Sequence, residues 1–491
     1  MTGPELPAAP PRPLLPPGPF LVAGAGRAGF AAVARLHFLG EQVAAWDGLK
    51  WPGPEQMLAA FSNTGIRTYA GGDGRQALTA APRPRCLIKS PGIAFDQPLI
   101  AAARDAGIPV LDELELGWRL ESRPLVAITG TNGKSTVTSL IAEILRAAGG
   151  EPVLAGNTTF GYPLSGVGAS PGDAVVCEVS SYQLEGCPAF VPEIGVFTNL
   201  TVDHLYRHAD LAEYEWLKRS MFVRERACVG AALNADDPVT TALAAELPER
   251  GTRVVTFGYS DAARWRVEAR EQHRERTRLT LRGPDGPVLL ASRLPGRHNG
   301  ANVAAALAAA ELCAVDTEVA IEAIESFPGL PGRFQRIRSS SEAPEVIVDY
   351  AHNPVGVECA LEAAGEIAAA RGGRLTAVVS TLSIYDPELS AGIGAAAAAA
   401  ADRLVVTAER MLAEEPADPS PALIEAASRG PATVEVVPER REAIAAALAA
   451  SGPRDVVALL SRGNRDTPLF ERSGTAITAT DAELVADLLD R

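Results

Sequence analysis

The chain has 491 residues, a formal net charge of −15 at pH 7 and 47% hydrophobic residues. That length calls for about two to three domains, and an acidic balance without a basic stripe argues against a nucleic-acid surface. Six cysteines (Cys86, Cys177, Cys187, Cys228, Cys313, Cys359) lie scattered without C-x-x-C spacing; this points to a reducing compartment and to neither a zinc site nor a disulfide framework.

Residues 1–18 are rich in proline and lack the charged start and apolar run of a signal peptide, so a disordered tail on a cytoplasmic protein is expected. No apolar run of about 18 residues follows, so no membrane span is expected. Residues 19–122 read as a first domain. It opens with a strand, the turn Gly24-Ala25-Gly26-Arg27-Ala28-Gly29, a helix, and a second strand ending at Asp47. Glycines at that spacing, with an acid about 20 positions on, form a Rossmann-type nucleotide fingerprint that serves NAD, nucleotide-sugar and mononucleotide sites alike. A further strand, residues 86–89, runs into Ser90-Pro91-Gly92, either a second phosphate contact or a plain turn.

A polar stretch ending in Pro124 marks the expected boundary to a second domain, residues 123–314. Its apolar strand leads into Gly130-Thr131-Asn132-Gly133-Lys134-Ser135-Thr136 and then an amphipathic helix. This is a phosphate-binding loop: backbone N–H groups cradle phosphate, Lys134 reaches the outer phosphates, and Ser135 holds Mg²⁺. The general pattern wants glycine where the chain has Ile128. Beyond Gly156-Asn157, a strand over residues 174–178 delivers Glu178 to its carboxyl end, where ligands gather in open α/β sheets and a carboxylate suits Mg²⁺. The next strand delivers His204 to the same kind of edge, although a lone histidine carries little information. Tyr214 and Lys218 share a helix face; taken bare, Lys218 is a solvated lysine. His298, Asn299 and Asn302 open an alanine-rich helix and suit either a base or sugar contact or simple capping.

The β-α pattern restarts in residues 315–491, the expected third domain, with Arg333 early and a strand ending at Asp349 before Tyr350-Ala351-His352-Asn353-Pro354. Alanine runs near residues 393–401 and 443–450 read as helices because alanine is the best helix former.

These motifs together resemble the Mur ligase family, the ATP-dependent amide ligases of peptidoglycan precursor synthesis. The match covers Gly130 to Thr136, Glu178 to Glu185, Asn199 to His204, Tyr214 with Lys218, Asn234 to Asp237, and Gly296 to Asn299 with Asn302, all in the family's order. The resemblance implies an α/β fold of three domains: an N-terminal Rossmann-like domain binding a UDP-linked substrate, a central ATPase-type domain with a parallel sheet, and a Rossmann-like C-terminal domain that closes over ATP and the amino acid.

For the UDP substrate it implies Gly24, Ala25, Gly26, Arg27, Asp47, Ser90, Pro91, Gly92 and Asn157. For ATP it implies Gly130 to Thr136, Asn299, Asn302, Arg333 and Asp349. Two Mg²⁺ ions would be held by Ser135, Glu178 and a carbamylated Lys218, with Lys134, Glu178, His204 and Lys218 as the catalytic set. The first two domains are most similar to members adding D-glutamate to UDP-N-acetylmuramoyl-L-alanine. The third departs: Asp349-Tyr350-Ala351-His352-Asn353-Pro354 resembles the diamino-acid-adding ligases, folylpolyglutamate synthase and cyanophycin synthetase, and Ser461-Arg462-Gly463-Asn464 replaces a serine-rich loop. A related ligase with another amino acid or acceptor is therefore the alternative. A Rossmann oxidoreductase would leave the phosphate loop, Glu178 and Lys218 unexplained. A cytoplasmic monomer acting on small molecules is expected.

Overall fold

A computed structural model describes every residue except 1–3, 50–52, 274, 338–340, 382–385, 412–414, 416–417, 466 and 490–491. The chain forms two compact units, Met1–Leu200 with Arg207–Arg266 and Ala304–Ile324, and Thr201–Tyr206 with Val267–Val303 and Glu325–Arg491.

The first unit contains a five-stranded parallel sheet of β1 (Phe20–Ala23), β2 (Val43–Asp47), β3 (Arg67–Ala70), β4 (Cys86–Lys89) and β5 (Val110–Asp112), ordered β3-β2-β1-β4-β5. The order reverses between β1 and β4, which puts a crevice at their carboxyl ends. A second set follows: β6 (Leu125–Thr129), β7 (Pro152–Gly156), β8 (Ala174–Glu178), β9 (Ile194–Phe197), β10 (Gly230–Asn234), β11 (Arg253–Gly258) and the start of β12 (Trp265–Gln272). These run parallel in the order β12-β11-β10-β9-β6-β8-β7. β6 and β8 are buried along their whole length, as apolar runs covered on both faces must be. Because β6 lies between β8 and β9, the loops after all three open at one edge.

Of the expected disordered tail over residues 1–18, residues 1–3 lie outside the described residues, and residues 4–18 differ from the expectation. Residues 4–18 are packed along the first unit: the Glu5 N–H donates to the Cys313 carbonyl at 3.0 Å, and Arg119 donates to the Leu14 carbonyl at 2.8 Å. Arg12 reaches the carbonyls of Glu121 and Arg123 and the carboxylate of Glu193. Leu15 packs on the core between the first sheet and its helices. Proline content, read as disorder, works the other way: a segment with few N–H groups needs few partners, and its unfolded form has little entropy to lose.

The second unit holds a hairpin of β13 (Thr277–Gly283) and β14 (Gly286–Ser292), whose antiparallel pairing adds to the parallel central sheet that the sequence implies. Burial alternates residue by residue along β13, the mark of a strand with one solvated face. The third sheet comprises β15 (Gln335–Ile337), β16 (Glu345–Val348), β17 (Leu375–Val379), β18 (Arg403–Val406), β19 (Thr433–Val436) and β20 (Val456–Leu459), ordered β15-β16-β20-β17-β18-β19 with only β15 antiparallel. The alanine runs are helices, Pro387–Ala400 and Arg440–Ala449, and their alanines pack on the two faces of this sheet. The α/β class and three successive sheets agree with the sequence reading. Among the described residues no helix is long and apolar enough to cross a membrane.

Candidate active site

The phosphate loop curls between β6 and the helix Lys134–Ala147. Gly130 has φ +143°, and a Cβ there would stand 1.9 Å from Thr198 Oγ1, so only glycine fits. Gly133, at φ +84°, is the residue from which the helix starts. The end of β9 braces the loop. The Asn132 N–H donates to Asn199 Oδ1 at 2.9 Å, while Asn199 Nδ2 and Thr198 Oγ1 donate to the Asn132 carbonyl at 3.0 and 2.7 Å. Thr131 Oγ1 lies 3.1 Å from the Tyr214 hydroxyl. Lys134 Nζ donates to the Gly130 and Thr131 carbonyls at 3.0 and 2.8 Å, so the cation folds back over the loop it serves.

Glu178 comes into the same crevice through register, since β8 places it opposite Ile128 of β6. Its side chain is buried, and Oε2 has no hydrogen-bond partner. A buried ionised oxygen left unpaired is costly, and a bound cation is the natural remedy. Ser135, also buried, adds a hydroxyl in the first turn of the helix. Hard oxygen donors beside a phosphate loop fit Mg²⁺. Lys218 is brought in as well: from the helix Leu211–Ser220 its Nζ donates to the Gly130 carbonyl at 2.7 Å and lies 4.6 Å from the Tyr214 ring centroid. As a bare ammonium it does not fit a metal; as a carbamate it would.

The first sheet's crevice holds the expected nucleotide turn. Asp47 spends both oxygens on backbone, accepting the Ala25 and Leu49 N–H groups at 2.7 Å each. Ser90 Oγ donates to the Gly24 carbonyl at 3.2 Å. Arg27 donates to the Gly161 carbonyl at 2.7 Å, and the Asn157 N–H donates to the Glu178 carbonyl at 2.8 Å, so Asn157 stands beside Glu178. At the turn Ser90-Pro91-Gly92, Arg207 donates to the carbonyls of Pro91, Gly92 and Ile93 while gripping both oxygens of Glu185. Lys89, fully buried, pairs with Asp112 at 2.9 Å and stands 3.7 Å from Glu185. Arg207 and the pairing of Lys89 escape sequence reasoning because nothing local marks contacts between segments 22 to 116 residues apart.

In the second unit, Asp349 at the end of β16 accepts the Phe334 and Ala351 N–H groups at 2.6 and 2.8 Å. Burial pushes its carboxyl up, opposed by Arg333. The Arg333 guanidinium lies 4.3 Å from the Tyr350 ring centroid, with Arg465 at 4.7 Å. Asn299 and Asn302 are brought together, Asn302 Nδ2 donating to Asn299 Oδ1 at 2.9 Å and Asn299 Nδ2 to the Pro295 carbonyl at 2.7 Å. His298 is a packed histidine: burial drops its ring to about pKa 4.

His204 also belongs to this unit, at φ +58°. Its Nδ1 is 3.5 Å from Asp203 Oδ1, and Asp203 Oδ2 is 3.7 Å from His352 Nε2. Asp203 stands in the Asn199 to His204 motif, but nothing in the sequence pairs it with His352.

Comparison with known proteins agrees with this geometry. Residues 128–310 match the Mur ligase middle domain, and residues 332–463 match the glutamate ligase domain of Mur ligases. A UDP-N-acetylmuramoylalanine–D-glutamate ligase of Synechococcus sp. (strain JA-2-3B'a(2-13)) is 37% identical over 341 residues, 64% of this chain and 67% of the relative. That of Geobacter metallireducens is 34% identical over 366 residues, 72% and 76% of the two chains. Among solved structures, UDP-N-acetylmuramate-alanine ligase MurC of Thermotoga maritima has a TM-score of 0.62 at 21% identity, covering 91% of this chain and 96% of that one. A pseudomurein peptide ligase type C from Methanothermus fervidus has a TM-score of 0.55 at 21% identity, covering 91% and 97%. At such identities the structures speak for the fold.

Proposed function

The chain belongs to the Mur ligase family of ATP-dependent ligases, and from that premise we propose that it joins D-glutamate to the terminal carboxylate of UDP-N-acetylmuramoyl-L-alanine in the cytoplasm. The observation that carries this reading is the identity of 37% and 34% to relatives named for that reaction.

A carboxylate at neutral pH is a poor electrophile, and the proposed route activates it. A substrate carboxylate oxygen attacks the γ-phosphorus of ATP, the bond to ADP breaks, and an acyl phosphate forms. The amine of the amino acid then attacks the acyl carbon, loses a proton, and expels phosphate. Such transfers depend on positioning and charge neutralisation. Lys134 would leave the Gly130 and Thr131 carbonyls for the phosphates. Glu178, through its unpaired Oε2, and Ser135 would hold Mg²⁺, with Lys218 joining once carbamylated. The metal would supply neutralisation of the transferring phosphoryl charge. Asp47 would fix the turn that receives the UDP portion.

A second reading, a diamino acid as the incoming group, is favoured by Asp349-Tyr350-Ala351-His352-Asn353-Pro354. Phosphate release from ATP with UDP-N-acetylmuramoyl-L-alanine decides between them, measured in parallel with D-glutamate, L-glutamate, a diamino acid or none. D-glutamate-dependent release with a product of matching mass is expected. Release with a diamino acid instead would replace the first reading by the second.

A further inference from the structure

We propose that the cleft at the amino ends of β1, β2 and β3 is a second ligand site, for a small zwitterion with an apolar side chain, an amino acid or a short peptide. The inference stands on the geometry of the first unit and does not depend on which amino acid the enzyme adds.

The cleft has a volume of about 280 Å³, and Phe20, Val43 and Arg67, the first residues of β1, β2 and β3, all line it. The nucleotide turn at Gly24 and the carboxylate of Asp47 lie at the other ends of these strands, about 10–13 Å away at about 3.3 Å per residue. The cleft is therefore separate from the crevice that receives the nucleotide turn. Leu21 and Ala44 stand in register across β1 and β2, and Arg67 continues the row on β3, so all three share one face of the sheet. They give the cleft an apolar floor that ends in a cation, and Pro82 and Pro84, from the segment leading into β4, line it as well.

Arg67 donates to the Ala81 carbonyl, and among the described residues no ion pair engages it. A guanidinium carries five N–H donors, so most of its capacity remains for a ligand carboxylate. Glu41 lines the cleft from the turn into β2. A Cβ at Gly18 would stand 3.0 Å from its Oε2, which places this carboxylate beside the start of β1. Because β2 lies between β1 and β3, the anion and the cation belong to strands about 10 Å apart, and no ion pair joins them. A ligand with an ammonium for Glu41, a carboxylate for Arg67 and an apolar body over Leu21 and Ala44 meets all three features. A simple anion or cation would meet one charge and face the other with the same sign. Exposed charge contacts are weak and one apolar side chain supplies the rest, so a Kd on the order of 0.1–1 mM is expected.

The test titrates the full chain, without nucleotide, with L-leucine and with L-alanyl-L-leucine up to about 10 mM, followed by calorimetry. One saturable equivalent is expected from at least one of them, and the tighter binder gives the length of the occupant. Acetylating its amine or amidating its carboxylate removes one charge and is expected to weaken binding about three- to ten-fold, as are Glu41→Gln and Arg67→Gln. In Glu41→Gln the acetylated ligand should lose little more, and in Arg67→Gln the amidated one, because each pair shares a single contact. Ala44→Leu, which fills the floor, is an independent variant expected to abolish binding, and melting temperatures show that each variant is folded. Saturating UDP should leave the binding unchanged. No binding to the unaltered chain, binding indifferent to either folded charge variant, or displacement by UDP would overturn the proposal.

Discussion

Arg12 and Glu193, 181 residues apart in sequence, meet at 2.9 Å with side chains only 5% and 0% exposed. Glu193 Oε2 also accepts the Leu125 N–H at 2.9 Å, Oε1 stands 3.3 Å from Arg226, and the Arg12 guanidinium lies 4.8 Å from the Trp118 ring centroid. Arg12→Ala strips a buried carboxylate of one of its two cations. It is expected to destabilise the first unit by about 3 kcal/mol and to shift Trp118 emission, read by denaturant unfolding followed by fluorescence. An unchanged midpoint would mean that the strap contributes nothing.

Lys134→Ala should lower ATP-dependent phosphate release by about 10²–10³-fold, the scale for losing one donor to a developing charge. Its ammonium donates to two carbonyls of its own loop, so the melting temperature of the variant is measured beside its turnover to separate lost chemistry from lost folding. A variant retaining turnover would remove Lys134 from the phosphate site.

If Lys218 works as a carbamate, Lys218→Ala should be inactive and partly restored by short carboxylic acids in the assay. Enrichment with ¹³C-bicarbonate should give a carbamate signal in the unaltered chain that the variant lacks. Full activity of Lys218→Ala, or no such signal in an active enzyme, would exclude the modification. The buried Nζ, 2.7 Å from the Gly130 carbonyl, is where the added carboxylate would begin.

Glu113 gives a pH signature remote from the chemistry. Its Oε1 accepts the Ser165 N–H at 2.6 Å, its Oε2 is buried without a partner, and burial lifts its carboxyl from 4.5 to about 7. The folded chain thus binds this proton more tightly than the unfolded one. The stabilisation is fully present below about pH 4.5 and is lost as pH rises through about 7, amounting to roughly 3 kcal/mol. Glu113→Gln should therefore gain melting temperature relative to the unaltered chain as pH goes from 4.5 to 8. A difference that stays constant with pH would contradict this.

The phosphate loop was legible because everything that defines it is contiguous: a strand, two glycines with positive φ, and a helix. Glu178 was legible because a strand carries its last residue to a known edge. Asp47 was found but its use was not, since backbone N–H acceptance leaves no trace in composition. Arg12 was hidden inside a segment judged by its prolines, Arg207 reaches Pro91 from 116 residues away, and Asp203 and Asn353 stand in quoted motifs that give no sign of their meeting across 150 residues. One charged residue in the right place outweighs the composition of the segment around it.

The strap also has a place in time. During synthesis at about 5–20 residues per second, Arg12 leaves the ribosome about 10–40 s before Glu193 does. The first sheet, β1 to β5, can pair while the strap waits, because none of its strands lies beyond Asp112. Docking of Arg12 is then a closing event that reports completion of β6 and the segment leading into β9, and a nascent chain halted before Glu193 would expose its first residues to proteases that the finished unit resists.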